Sequence, residues 1–257
     1  MEDPEPLLAF WRAQDALFER VEPAWWGAVV SDARFPAVQE ANYARVETPE
    51  PVGLAEIEAA LLPALARSRS RRSHVVVFRP DEQTDLIAEA STRGERITFD
   101  LVLVLEPAAG TPAADTDELG SIDEAFWSEH RASLRMFDIH DEDALDQLQA
   151  IERDLTVPAG RRWFVRRGGG RDGRPVALAA LLVLEGVGYL DHVVTFPEAR
   201  RRGHAEALTR TAVAEAARMG AERVYLLAEA ESPAVRIYER VGFDRAGHLA
   251  SWLSPRG

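Results

Sequence analysis

Val193-Val194-Thr195-Phe196-Pro197-Glu198-Ala199-Arg200-Arg201-Arg202-Gly203-His204-Ala205-Glu206-Ala207-Leu208 carries an apolar strand through a glycine turn straight into a helix. Asp191 to Phe196 has the β-branched content of a strand. After Gly203, the residues Ala205, Leu208, Ala212, Val213 and Ala216 recur at helical spacing. The unpaired N–H groups of a first helical turn and the positive end of its dipole face such a junction. A glycine there lets an anion approach the backbone with no Cβ in the way. Arg200, Arg201 and Arg202 add positive charge at the same place, so the junction suits a pyrophosphate.

A second block lies downstream: Ser232-Pro233-Ala234-Val235-Arg236-Ile237-Tyr238-Glu239-Arg240-Val241-Gly242-Phe243. Ser232 is placed to cap a helix with Pro233 at its first position, and Gly242 to end it. Arg200-Arg201-Arg202-Gly203-His204-Ala205 resembles the R/Q-x-x-G-x-G/A signature of the GNAT superfamily of acyl-CoA-dependent N-acyltransferases. The second block resembles that family's A-x-x-x-Y-x-x-x-G-F segment, at about the expected distance. From Ile122 the elements read ααβββαβαββ, which is the order of that fold, and the resemblance covers roughly the last 135 residues.

The resemblance implies a mixed sheet whose two central strands part to admit acyl-CoA, with acetyl-CoA as donor. Backbone groups of Val193, Val194 and Thr195 would pair with the pantetheine amides. The N–H groups from Arg201 through Arg202, Gly203, His204 and Ala205 to Glu206 would hold the pyrophosphate. Arg200 fits the first signature position. Ser232 would partly replace the asparagine that many members carry where Glu231 stands. Catalysis would be direct attack of a neutral amine on the thioester. A backbone N–H of Val194 or Thr195 would serve the developing oxyanion, and Tyr238 would be the acid for the leaving thiolate. A plain packing role for Tyr238 beside Val241 is the alternative.

The general base does not carry over, because Tyr189 stands where some members have a strand glutamate. Asp191 lies two residues along and hence on the same strand face, as a base or as a strand-end carboxylate. His192 is expected on the opposite face and His204 at a variable turn position, both as structural or solvated residues and not catalytic ones, and water is a further proton carrier.

The whole chain reads as α/β. Pro6 to Arg20 has the apolar pattern of an amphipathic helix that Pro23 ends. Trp25 to Val30 reads as a strand, Ala37 to Tyr43 as a short helix and Leu54 to Arg67 as a longer one. Strands His74 to Phe78 and Ile97 to Leu105 flank the helix Glu82 to Ser91. Pro107 to Asp117 has no apolar period and reads as a linker. Helices follow at Ile122 to Met136 and Asp141 to Leu155, then strands at Arg162 to Arg166, Val176 to Glu185 and Tyr189 to Phe196. Arg167 to Arg174 joins two strands and opens no helix, so it reads as a hairpin turn and not a phosphate loop.

This divides the chain into 1–106, a linker at 107–118, and a GNAT fold over 119–257. The first part resembles the degenerate leading half of tandem GNAT proteins, on Trp25 to Tyr43 with Pro36 and Asn42. It has no R-x-x-G-x-G/A turn, since Arg93-Gly94 ends a helix. It is therefore expected to be noncatalytic, walling the acceptor pocket or mediating association, a homodimer included.

Composition limits the remaining options. The 257 residues contain no cysteine, which excludes disulfides, thiolate nucleophiles and cysteine-ligated zinc. All basic side chains are arginine, with no lysine. A formal charge of −13 argues against a nucleic-acid partner and permits cationic amine substrates. No apolar run reaches the roughly 20 residues of a membrane span. With an acidic start from Met1 to Pro6, the expectation is a cytoplasmic protein with no membrane partner. The histidines are dispersed, so no metal is expected. The leading reading is an acetyl-CoA-dependent N-acetyltransferase acting on a primary amine of a small molecule, with a protein N-terminus or lysine as the alternative acceptor. The alternative is a noncatalytic acyl-CoA-binding or regulatory module whose first domain binds a partner.

Overall fold

The computed structural model describes residues 3–108, 116–119, 122, 124–169 and 173–255. In chain order, the first elements are α1 (Glu5–Asp15), β1 (Arg20–Ala24), β2 (Gly27–Ser31), β3 (Tyr43–Val46), α2 (Leu54–Ser68), β4 (Arg72–Val77), α3 (Thr84–Thr92) and β5 (Ile97–Leu105). There follow β6 (Asp117–Glu118), α4 (Glu124–Leu134), α5 (Glu142–Ile151), β7 (Arg162–Arg167), β8 (Pro175–Leu184) and β9 (Val187–Thr195). The chain then continues as α6 (His204–Arg218), β10 (Arg223–Glu229), α7 (Val235–Val241) and β11 (Asp244–Pro255). Most of the reading at 107–118 and the tip of the Arg167 to Arg174 turn lie outside the described residues.

Two compact units form. One comprises Met1–Val102, Glu142–Ile151 and Ala246–Gly257, the other Leu103–Asp141 and Glu152–Arg245.

In the first unit the strand order is β1-β2-β3-β4-β11. β2 pairs antiparallel with β1 and β3, while β3 and β4, joined through α2, pair in parallel. Residues Ala250–Pro255 of β11 run antiparallel along β4. Leu54, Ile57, Leu61, Ala64 and Leu65 of α2 pack on Val29, Ala44, Val75, Val77 and Trp252, so the helical period of the sequence becomes one buried face.

Three local readings need correction here. The first helix stops at Asp15, because that carboxylate turns inward to the Tyr43 hydroxyl at 2.8 Å and to buried Arg45. Residues 20–24 then form an edge strand, where Pro23 is tolerated. Ala37 to Tyr43 is a single 3-10 turn at Gln39–Ala41 before Tyr43 opens β3. The buried Asn42 amide donates to the carbonyls of Phe35 (2.8 Å) and Val38 (3.2 Å), holding that loop out of helical form.

In the second unit the order is β10-β9-β8-β7-β6, with β6 to β9 antiparallel and β9 parallel to β10. Phe126 and Trp127 of α4 pack on Trp163, Val165, Leu178, Ala180 and Val194 of the sheet. The buried residues Leu208, Ala212 and Ala216 line α6. Gly188 is the close-approach point, where an added Cβ would lie 3.3 Å from Ala216 and 3.2 Å from Val224. The two strands that end the order ααβββαβαββ are one continuous strand, β11. The helix expected to run to Leu155 passes after Ile151 into a π turn at Glu152–Thr156.

Candidate active site in the second unit

The parallel ladder between β9 and β10 runs from Val187 opposite Arg223 to Tyr189 opposite Tyr225 and stops there, although β9 continues to Thr195 and β10 to Glu229. Beyond Tyr189 the two strands part, and Val193, Val194 and Thr195 lie on the diverging stretch. Val194 is buried under α4, and its neighbour Thr195 has a hydroxyl oxygen that is buried without a hydrogen-bond partner. A buried polar atom left unpaired in a folded chain marks a position that a ligand can satisfy.

After Pro197–Ala199, Arg201 takes a left-handed conformation (φ 60°). Gly203 then caps α6 at φ 78°, with nothing within 4 Å of where a Cβ would stand. The first bond of α6 runs from the Ala207 N–H to the Gly203 carbonyl at 3.0 Å, and no side chain caps the helix. The N–H groups of His204, Ala205 and Glu206 therefore stand in the first turn, at the positive end of the dipole.

Arg200, Arg201 and Arg202 are exposed, and Arg200 folds back so that its Nε donates to the Thr195 carbonyl at 3.2 Å. Arg166 on β7, which the sequence did not single out, donates to His204 Nδ1 at 3.0 Å. Burial, Arg166 and Arg202 hold the His204 imidazole below its ordinary range, so it is a neutral acceptor there. Glu206 points away into an exposed pairing with Arg210 and Arg240. The open glycine, the bare helix start and the orphaned Thr195 hydroxyl together fit a chain of amides ending in a pyrophosphate.

Tyr238 sits in the middle of α7, buried, edge-on to Phe243 at 6.2 Å. Burial pushes its phenol up to about 12. Gly242 ends the helix at φ 116°, but the helix begins at Val235 instead of Pro233. Ser232 precedes it, with its hydroxyl accepting the Ala234 N–H at 3.3 Å.

The register between β8 and β9 carries a bulge. Leu178 faces Val194 and Ala180 faces Asp191, so Ala179 opposes both His192 and Val193. His192 is left-handed (φ 50°). Strict alternation put His192 on the face opposite Asp191, and the bulge overturns that expectation. The His192 ring packs against Trp163 at 5.0 Å and stacks on His130 of α4 at 4.9 Å. Asp191 ion-pairs with Arg161, whose guanidinium lies 5.4 Å over the same Trp163 ring. Arg161 is buried and also meets Glu152 at 2.9 Å. Its two carboxylates outweigh desolvation and hold it firmly protonated.

Desolvation, with a smaller push from Arg161, lowers His130 to about 3, and burial lowers His74 in the first unit to about 4. An unfolded imidazole titrates near 6.5, so below that pH the unfolded chain binds protons that the folded chain refuses. Folding stability is therefore expected to fall as pH drops from about 6.5 toward 4, by up to ~1.4 kcal/mol per pH unit for each such group. Urea unfolding at pH 7 and pH 5 checks this, with His130→Phe flattening the dependence. An equal loss in that variant would show that His130 protonates within the fold.

The first unit contains its own strand, turn and helix, from β3 to α2, and differs at each point. The parallel pair β3 and β4 stays closed to its end, where the Phe78 N–H reaches the Val46 carbonyl at 2.9 Å. The Leu54 N–H at the start of α2 is taken by the Glu89 carboxylate at 3.1 Å. The Gln83 amide donates to the carbonyls of Thr48 (2.9 Å) and Glu50 (2.7 Å), closing the turn.

Among the described residues no group of three or more His, Asp and Glu side chains is placed to hold a metal ion, and no helix is long and apolar enough to cross a membrane.

Residues 120–243 match the family model described as acetyltransferase (GNAT) family. No curated protein sequence matches the chain. A GCN5-related N-acetyltransferase from Kribbella flavida superposes with a TM-score of 0.65 at 20% identity, covering 98% of this chain and 95% of that one. A functionally unknown conserved protein from Staphylococcus epidermidis ATCC 12228 gives 0.67 at 15% identity, with 90% and 91% covered. A GCN5-related N-acetyltransferase from Sphaerobacter thermophilus gives 0.51 at 17%, with 76% and 66% covered. At these identities the likeness is one of fold, and for the first two it extends over nearly all of both chains. Residues 120–243 therefore form a domain of the GNAT acetyltransferase family, whose members use acetyl-CoA and carry out acyl transfer.

Proposed function

We propose that the second unit transfers an acetyl group from acetyl-CoA to a primary amine of a small molecule, by direct attack of the neutral amine. The observation that carries this reading is the parting of β9 and β10 immediately before a bare helix start with an open glycine. Acetyl-CoA supplies an activated acyl group on a thiolate leaving group. Backbone groups of Val193 to Thr195 would hold its amide chain. The N–H groups of Arg201 to Glu206 would hold its pyrophosphate, with Arg200 and Ser232 at the rim. A backbone N–H of Val194 or Thr195 would stabilise negative charge growing on the acyl oxygen, which needs a donor already in place.

Tyr238 would protonate the thiolate. Its phenol stays protonated at neutral pH, and the burial that raises it raises the basicity of a thiolate beside it in the same way. Asp191, held by Arg161, is better suited to fixing local charge than to accepting a proton. The first unit would be noncatalytic, since its strand pair is closed and its helix start is already occupied by Glu89.

Tyr238→Phe tests the assignment. The ring's packing against Phe243 survives, so acetyl-CoA affinity and KM for the amine should hold. Thiol release should drop about 100-fold in kcat, the usual size of a lost general acid. Unchanged kcat would remove Tyr238 from the chemistry. Tight binding of acetyl-CoA with no transfer to any amine would favour the noncatalytic binding module.

A further inference from the structure

His192 is held in a left-handed backbone conformation that is strained for a residue with a side chain, and it is half-buried at the bulge where β9 has already left β10. Strain of that kind persists where the surroundings impose it. The surroundings here are specific. Ser133 on α4 donates its single hydroxyl hydrogen to the His130 carbonyl at 2.7 Å. Its oxygen, 2.6 Å from His192 Nε2, is left only to accept. Nε2 therefore carries the hydrogen, and Nδ1 is a lone pair. No residue among those described hydrogen-bonds to Nδ1. The ring is boxed by His130, Trp163 and, edge-on at 5.2 Å, the exposed ring of Phe137.

The charged and titratable groups around this box are His130 from α4, Arg161 ahead of β7 with Glu152, and Asp191 from β9 itself. Arg161 is paired with both carboxylates. Burial, His130 and Arg161 all disfavour a charged His192 at rest.

We infer that His192 Nδ1 is the proton acceptor for the attacking amine, with Ser133 as the residue that fixes its tautomer. This rests on the acetyltransferase reading above and assigns the one role that reading leaves open. In the step, the amine nitrogen forms a bond to the acyl carbon and the carbon–sulfur bond breaks. One proton passes from the new N–H centre to His192 Nδ1, and one passes from the Tyr238 hydroxyl to the thiolate. Solvent then takes the imidazolium proton and returns one to the Tyr238 phenolate. The exposed Phe137 ring beside His192 gives the acceptor an apolar wall, which favours amines with an apolar body.

Two measurements test it. Nitrogen-15 imidazole spectra of the labelled protein should show His192 neutral with its hydrogen on Nε2 at pH 7, and Ser133→Ala should mix the tautomers. A hydrogen on Nδ1 in the wild type would overturn the inference whatever the activity. The second is thiol release from acetyl-CoA with phenethylamine, spermidine and a hexapeptide with a free N-terminus as acceptors. His192→Gln keeps an N–H toward Ser133 and lacks the base. It should bind acetyl-CoA like wild type in calorimetry, lose about 100-fold in kcat with the best of these acceptors, and lose the acidic limb of the wild-type pH profile. Ser133→Ala should lose a few-fold. Wild-type turnover with His192→Gln unchanged in kcat and pH profile would sink this inference alone. Absence of acetyl-CoA binding or of turnover in the wild type would sink the acetyltransferase reading and this inference with it.

Discussion

Gly203→Glu is expected to weaken acetyl-CoA binding by about 10³-fold, roughly 4 kcal/mol, while the protein still unfolds near the wild-type temperature. Gly203 stands at φ 78°, ψ 8°, where any side chain adds roughly 1–2 kcal/mol of strain, yet nothing lies within 4 Å of the new Cβ. The fold therefore tolerates the residue. The ligand does not, since a carboxylate would stand at the end of α6 that the first-turn N–H groups keep positive. Gly203→Ala separates the two effects: it carries the strain without the charge and should lose only about 10-fold. Titration calorimetry of the three proteins reads this directly. Wild-type affinity in Gly203→Glu would move the cofactor away from this turn.

Arg161→Met is expected to cost about 3–5 kcal/mol of stability, the usual penalty for removing one partner of a buried ionic group. Arg161 is buried between Glu152 and Asp191, and Glu152 keeps a raised carboxyl because desolvation outweighs the arginine's attraction. Without Arg161 the two carboxylates repel. Asp191 retains some access to water, which favours the lower end of the range. The pH dependence gives a second readout. A carboxyl with a folded pKa above its unfolded value makes the folded state bind the extra proton, so the variant should recover stability as pH falls from 7 toward 5. That is opposite in sign to the histidine effect expected of the wild type. Arg161→Met combined with Glu152→Gln and Asp191→Asn should restore most of the loss. A chemical-denaturation midpoint unchanged in Arg161→Met would show that the cluster contributes nothing.

The strand, turn and helix around Gly203 were legible because each rests on local rules: β-branched content, a glycine at a left-handed turn, and a helical period from Ala205 to Ala216. Tyr238 was legible from its spacing to Gly242 and Phe243. What the sequence hid depends on distant partners. Nothing local marks Asp15 as the end of α1, because the reason is Arg45 and Tyr43 on another element. The bulge at His192 is a matter of register with β8, invisible in the alternation of β9 alone, and it reversed the expected face of that residue. Arg161 and Ser133 carry no motif, and Glu89 at the start of α2 is separated from Leu54 by 35 residues. In each case the missing information was which surface a side chain would meet.

The make-up of the first unit has a consequence for the order of synthesis. The strand beside β4 is Ala250–Pro255, and this unit also draws on Glu142–Ile151. A ribosome delivers β4 long before either segment. Until they emerge, one edge of β4 has no partner, and the core formed by Val75, Val77 and Ile57 lacks Ala250 and Trp252. The half of the protein translated first is thus the half that finishes folding last, and a nascent chain halted near residue 245 would expose an aggregation-prone strand edge in its oldest part.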